Sequence, residues 1–236
     1  MASANVDEVI VLHTRPYSET SLVVETFSLN SGRLTLLAKG SRSSGKSNKR
    51  AVLQMSSKLE VAYSGKSSMK SLNRLEVIRS AADLAGEKFA MGCYISELTM
   101  RLMHPEQVNQ SIFYQIDDAF GSLSDKYLAM IALRRLEDLL LMELGTPIDW
   151  ASDIEGHSLL ENEQYCLVNF EGFQRLSTSS NDRSYSGKLL LSVTKENQLS
   201  SESMNAWREI NNQLLTPHLG TKPLQSRKLL QQWKKS

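Results

Sequence analysis

The amino-acid sequence predicts an α+β protein: a five-stranded β-barrel, then an all-helical domain that carries a small irregular or β insertion. Three observations predict it. Over residues 8–80 apolar side chains come in short runs broken by turn residues, the pattern of strands. From residue 81 they recur every three to four positions, the pattern of helices. Over residues 146–199 that regularity lapses, and it returns after residue 200. The domains expected are 1–80 and 81–236, the second interrupted at about 146–199.

The first strand is the apolar run Val9–His13. Leu22–Phe27 and Leu34–Ala38 follow, and Asn30-Ser31-Gly32 between them supplies the φ > 0 positions of a hairpin turn. Leu59–Tyr63 alternates, Ser64-Gly65-Lys66 turns, and Leu72–Ile78 alternates again. Five short strands in so short a stretch suit a small closed barrel. The oligonucleotide-binding barrel is the natural candidate of that size, with SH3-like barrels as its competitor. Leu84, Ile95, Leu98 and Leu102 then mark a helix that stops at His104-Pro105, because the position before a proline disfavours the α conformation. Ile112, Phe113, Ile116, Ala119 and Phe120 mark a second helix. Tyr127 to Leu144 is the longest, closed by Gly145 at the C-cap and Pro147 beyond it. In the insertion, Tyr165–Val168 and Phe173–Leu176 read as a hairpin around Glu171-Gly172, and the Ser-rich stretch from Ser177 to Ser184 as a flexible surface loop. Met204, Trp207, Ile210 and Leu214 restore helical spacing, and Leu229, Leu230 and Trp233 add a last helix after Ser226.

With 27 Lys and Arg against 26 Asp and Glu, the net charge of +1 argues, taken whole, against a polyanion partner. Its distribution argues the opposite. Residues 1–80 hold 12 bases and 6 acids, residues 81–200 hold 9 and 18, and residues 201–236 hold 6 and 2. Within 33–79 there are 11 bases against Glu60 and Glu76 alone. Bases clustered in one module are the footprint of a polyanion such as nucleic acid; a merely solvated face is the plain alternative. The expectation is nucleic-acid contact on one basic face, with the acidic helical surface turned away. No stretch approaches the roughly 18 consecutive apolar residues of a membrane span. The N-terminus carries Asp7 and Glu8 where a signal peptide needs bases, so a cytoplasmic location is expected, nucleoid-associated if the polyanion is DNA.

Gly40-Ser41-Arg42-Ser43-Ser44-Gly45-Lys46-Ser47 satisfies the phosphate-loop pattern GxxxxGK[ST], and a nucleotide hydrolase using that loop is the alternative function. The pattern needs a long helix directly after it, its N-terminus facing the phosphates. Asn48-Lys49-Arg50 and a short Ala51–Met55 stretch follow instead. The preferred reading is a basic hairpin tip whose Arg42, Lys46, Lys49 and Arg50 touch nucleic-acid backbone. Other chemistry is thin. His13, His104, His157 and His218 are scattered, and His157 with Cys166 makes two ligands, too few for a structural zinc site. Asp117-Asp118 and Glu137-Asp138 read as solvated carboxylates on helix faces. No catalytic residue, cofactor or metal is expected. Tyr17, Phe27 and Tyr63 either stack on bases or fill the barrel core. Arg134-Arg135 is either the polar face of its helix or a cationic rim beside a groove that receives an acidic peptide tail. A structural module whose basic face meets an acidic protein is a third reading.

Val11-Leu12-His13-Thr14-Arg15-Pro16-Tyr17-Ser18-Glu19-Thr20-Ser21-Leu22, then Ser31-Gly32-Arg33 and Leu37-Ala38-Lys39-Gly40-Ser41-Arg42, resemble the opening of the RecO family of DNA repair proteins. Ala132-Leu133-Arg134-Arg135-Leu136-Glu137 resembles its helical core, and Leu219-Gly220-Thr221-Lys222-Pro223-Leu224-Gln225-Ser226-Arg227 its C-terminal signature. The resemblance implies an oligonucleotide-binding barrel, a helical domain, and a recombination mediator that binds single- and double-stranded DNA and anneals complementary strands. It implies action with RecR, sometimes RecF, and loading of RecA onto DNA coated by single-stranded DNA-binding protein, whose acidic C-terminal tail docks on the helical domain. Carried over residue by residue, it points to Arg15, Arg33, Lys39 and Arg42 for DNA, while Lys46, Lys49 and Arg50 rest on local charge. Arg134 and Arg135 match a family motif that bears on tail binding; Lys222 and Arg227 belong to the signature, with DNA contact or helix fixing both open. Many relatives carry a four-cysteine zinc site in the insertion. Residues 146–199 hold only Cys166, so no zinc is expected here.

Overall fold

The computed structural model describes residues 4–41, 49–176, 183–195 and 199–233. The chain divides into two compact units, residues 1–129 with 223–236, and residues 130–222.

In the first unit, β1 (Asn5–Pro16), β2 (Leu22–Ser28), β3 (Gly32–Ala38), β4 (Lys58–Ser64) and β5 (Met69–Arg79) close a barrel in the order β1-β2-β3-β5-β4. Every pairing is antiparallel except the closing one, β3 with β5. Alternation decides which residues face in: Val9, Val11, Leu22, Val24, Leu34, Leu36, Leu59 and Val61 fill the barrel. The short helix α1 (Lys49–Val52) stands over it, with Leu53 plugging the core from just beyond its end. Two of the three aromatic candidates are buried: Tyr63 in the barrel core, its hydroxyl 2.7 Å from Ser31 Oγ, and Phe27, 0% exposed, on the outer face of β2.

Strand β1 is apolar on both faces for a reason. Ile10 and Leu12 alternate with the inward residues yet are also wholly buried, as are Val23 and Phe27 on β2. Helices α2 (Gly86–Leu102) and α3 (Gln110–Gly121) pack against β1. The outer face of β1 and β2 is therefore covered by the chain's own residues. Gly32, at φ +66°, closes the predicted turn; a Cβ there would lie 2.1 Å from the Gln107 carbonyl oxygen, so only glycine lets the α2–α3 connection come so near. Under the same turn Asp7 is buried, accepting hydrogen bonds from Ser28 Oγ, from Asn30 Nδ2 at 2.9 Å and from Ser31 Oγ at 2.9 Å.

The last helix, α7 (Gln225–Trp233), packs on α2. The Glu97 carboxylate meets its N-terminus, accepting from the Gln225 and Ser226 amides at 3.0 and 2.9 Å and from Ser226 Oγ at 2.6 Å. A carboxylate there satisfies backbone donors that the helix leaves open. Burial pushes the Glu97 carboxyl up, but the Ser226 and Gln225 donors and Arg101 together hold it below the usual glutamate range. Arg227 lies over the Tyr94 ring, 5.9 Å from its centroid, which is a helix-fixing contact for that member of the C-terminal signature.

In the second unit, β6 (Gln164–Val168), β7 (Gly172–Arg175) and β8 (Tyr185–Ser186) form a small sheet in the order β7-β6-β8, followed by α5 (Gly187–Lys195) and α6 (Ser201–His218). The hairpin matches its sequence expectation; α5 was not anticipated in a stretch read as irregular. The expected loop overlaps residues 177–182, which lie outside the described residues. Trp150 packs against Phe173 and Trp207, with centroids 5.6 and 6.1 Å apart. Helix α4 (Lys126–Glu143) runs across the unit boundary.

Of the carboxylates expected on solvated faces, the Glu137-Asp138 pair is not there. Glu137 is fully buried and pairs with Arg134 at 2.7 Å, while Asp138 accepts from Trp207 Nε1 at 3.1 Å and Asn211 Nδ2 at 2.8 Å. A buried carboxylate must be paired or hydrogen-bonded, and α6 supplies those partners. Burial raises Asp138 to about 7, with Glu137 pushing the same way and the Trp207 and Asn211 donors pulling back. A carboxyl raised above its unfolded value holds a proton that the unfolded chain has released. Its contribution is complete below the unfolded value and is lost as pH rises through about 7. Relative to Asp138→Asn, the native protein should lose on the order of 4 kcal/mol of unfolding free energy between about pH 4 and pH 7. Urea titrations of both proteins across that range measure the difference.

Candidate nucleic-acid interface

The bases of the barrel sort into two sets, and their partners do the sorting. Lys58 on β4 pairs with Glu8 at 3.2 Å and Asp117 of α3 at 3.1 Å, and sits 5.3 Å from the Phe113 ring centroid. Burial pulls its ammonium down, but the hydrogen bonds to Asp117 and Glu8 win and hold its pKa above the usual lysine value. Arg79 pairs with the same Asp117 at 2.7 Å, Lys70 with Glu106 at 2.7 Å, and Arg74 with Glu76 at 3.0 Å. Arg33 donates from Nη1 to the Met100 carbonyl at 2.8 Å, and its own carbonyl accepts from the Glu106 amide at 3.0 Å. These five cations fasten the barrel to α2, α3 and itself.

The acidic middle of the chain is thus not wholly turned away from the basic module, as its charge distribution suggested. Glu106 and Asp117 neutralise three barrel bases within one unit. Asp117 is half-buried between two cations and only Asp118 of that pair is exposed.

Arg15, Lys39, Lys49 and Arg50 make up the other set. None has an ion pair among the described residues; Lys49 is half-buried and the other three are exposed. The strand register brings them to one rim. Pro16 is level with Leu22, and Leu22 with Ala38, so Arg15, next to last on β1, lies at the end of the barrel where Lys39 follows β3. Thr14 Oγ1 donates to the Leu53 carbonyl at 2.8 Å, and the Leu53 amide to the Lys49 carbonyl at 3.0 Å, which ties α1 and its two bases to the same end of β1. Tyr17 sits on the β1–β2 turn at this rim, 56% exposed. Arg42 and Lys46 lie outside the described residues. Lys66, which sequence reasoning passed over as a turn residue, is exposed on the β4–β5 connection with no ion pair among the described residues.

The remaining candidates separate as well. Arg134 is 6% exposed and engaged with Glu137, so its guanidinium is not presented as a cationic rim; Arg135 beside it is half-buried. The four-residue α1 is the only helix between the Gly40–Ser47 pattern and β4 among the described residues, far short of the long helix that a phosphate loop requires. No group of three or more His, Cys, Asp or Glu able to hold a metal ion occurs among the described residues. No described helix is long and apolar enough to cross a membrane.

A closed five-stranded barrel in this strand order, capped by a helix between its third and fourth strands and followed by helices, is an oligonucleotide-binding-type domain at the head of an α+β protein. The sequence profile of "Recombination protein O N terminal" matches residues 1–81. Over nearly the full length, the chain is 34% identical to the "DNA repair protein RecO" of Alteromonas mediterranea, covering 93% of this chain and 94% of that one. It is 34% identical to those of Aliivibrio salmonicida, covering 93% and 92%, and of Vibrio cholerae, covering 94% and 92%. The chain belongs to the RecO family of DNA repair proteins.

Proposed function

We propose that the protein is a non-catalytic recombination mediator that binds single- and double-stranded DNA and anneals complementary strands. With RecR, and in some settings RecF, it helps load RecA onto DNA coated by single-stranded DNA-binding protein. The observation that carries this reading is the rim of four bases with no ion pair among the described residues, on a barrel where Lys58, Lys70, Arg74 and Arg79 are already paired with acids. Cations with no protein partner lose least on meeting phosphate, because no existing ion pair has to break. Two strands held on one cationic rim repel each other less, which lowers the barrier to pairing. Arg33 has a structural partner and contributes less; Arg42 joins the set on its family motif and Lys46 on charge alone. The acidic tail of single-stranded DNA-binding protein would meet the helical region, with Arg135 rather than Arg134 as the cation at that contact.

The test is annealing of complementary oligonucleotides coated with single-stranded DNA-binding protein, without ATP. The protein should accelerate annealing, and added ATP should change nothing. A rate that depends on ATP and is abolished by Lys46→Ala would favour the nucleotide-hydrolase reading instead.

A further inference from the structure

Barrels of this type take oligonucleotides on the outer face of strands 2 and 3 and on the loops that follow strands 1 and 4. In this chain the sheet face is spoken for. Val23 and Phe27 are fully buried there, Thr35 Oγ1 donates to Glu25 Oε2 at 2.8 Å, and Arg33 is tied to the Met100 carbonyl. What that face presents is apolar or acidic, and its one cation has a partner. A strand of nucleic acid laid across it would meet neither free positive charge nor an accessible ring.

The β1–β2 loop offers both. The Tyr17 amide donates to the Ser21 carbonyl at 3.1 Å, which continues the β1–β2 pairing one step past Pro16 and Leu22 and leaves a short turn, Ser18-Glu19-Thr20. Tyr17 is therefore held at its backbone while its side chain, 56% exposed, has no hydrogen-bond or ring partner among the described residues. Arg15 precedes it by two positions, with Lys39 across the register. Two other exposed rings, Tyr114 and Phe170, differ: Tyr114 packs edge-on against Phe113, and Phe170 against His218.

We infer that Tyr17, on its fixed turn beside Arg15 and Lys39, is the base-stacking residue of this rim, and that the site it makes takes an unpaired strand in preference to a duplex. This rests on the DNA-binding reading above and adds to it a ligand class and a residue. The bases hold phosphates of either form of DNA, but a ring can stack only on a base that is not already stacked and paired. A phosphate contact releases counterions and a stacked ring does not, so the two contributions separate in a salt series.

The experiment compares wild type, Tyr17→Ala and Tyr17→Phe binding oligo-dT and a hairpin duplex over a range of salt, with thermal melts of all three. Tyr17→Ala should weaken oligo-dT binding roughly tenfold, with an unchanged salt slope and duplex affinity within about twofold of wild type. Tyr17→Phe should restore oligo-dT binding. Wild-type affinity of Tyr17→Ala for oligo-dT, or an equal loss on strand and duplex, overturns the assignment. A wild-type protein that binds neither DNA overturns the DNA-binding reading itself, a result legible apart from Tyr17.

Discussion

Replacing Arg15, Lys39, Lys49 and Arg50 together by alanine is expected to weaken single-strand binding by about 10²–10³-fold at roughly 0.1 M salt. Each phosphate contact on a single strand contributes a salt slope of about −0.7, so each lost cation costs about 0.7 log units there. Folding should be unaffected, because none of the four makes an ion pair among the described residues. The matched control is Arg74→Ala, which removes an exposed base already committed to Glu76 and Glu60. It should leave affinity within about twofold of wild type, since an engaged surface cation must give up one partner to gain another. Gel-shift or anisotropy titrations at fixed salt distinguish the two. A loss of about fivefold from Arg74→Ala, one quarter of the quadruple variant's loss on a logarithmic scale, would mean that total charge, not unpaired charge, determines binding.

Among single substitutions compared at one pH, a large stability loss is expected at Asp7. Asp7→Ala leaves the buried Ser28 Oγ, and Asn30 Nδ2 and Ser31 Oγ of the more exposed turn, without their shared acceptor, at a cost of roughly 3 kcal/mol. For a chain of this size that is a fall in melting temperature of about 6–12 °C. Asp7→Asn keeps the shape and one acceptor oxygen but turns an amide toward hydroxyl donors, so it should lie between alanine and wild type. Calorimetry or urea unfolding of the three proteins checks the order. A change within about 0.5 kcal/mol for alanine would show that the turn finds its partners elsewhere.

The barrel was legible because its strands obey a period of two and its turns carry Gly32 and Gly65 where the backbone needs positive φ. Helices α2, α3, α4 and α6 were legible from apolar spacing. Helix α5 was not: Leu189-Leu190-Leu191 suits a buried strand as well as a helix, and the signal that distinguishes them is Ser186, whose Oγ accepts from the Leu189 amide at 3.3 Å at the helix start. The candidate interface was half legible. Sequence shows which residues are basic but not which are already neutralised, since Lys58 meets Asp117 across 59 positions and Arg33 meets Met100 across 67. Glu137 and Asp138 were misplaced on solvent for the same reason. Their partner Asn211 sits on another helix, four residues beyond Trp207, where it reads as a polar gap in an apolar stripe.

The claim that unpaired barrel bases carry DNA is tested most directly by the salt dependence of wild-type binding to oligo-dT. Four described bases with Arg42 and Lys46 give a slope of about −4 in log affinity against log salt. A slope between zero and about −1 would contradict the account.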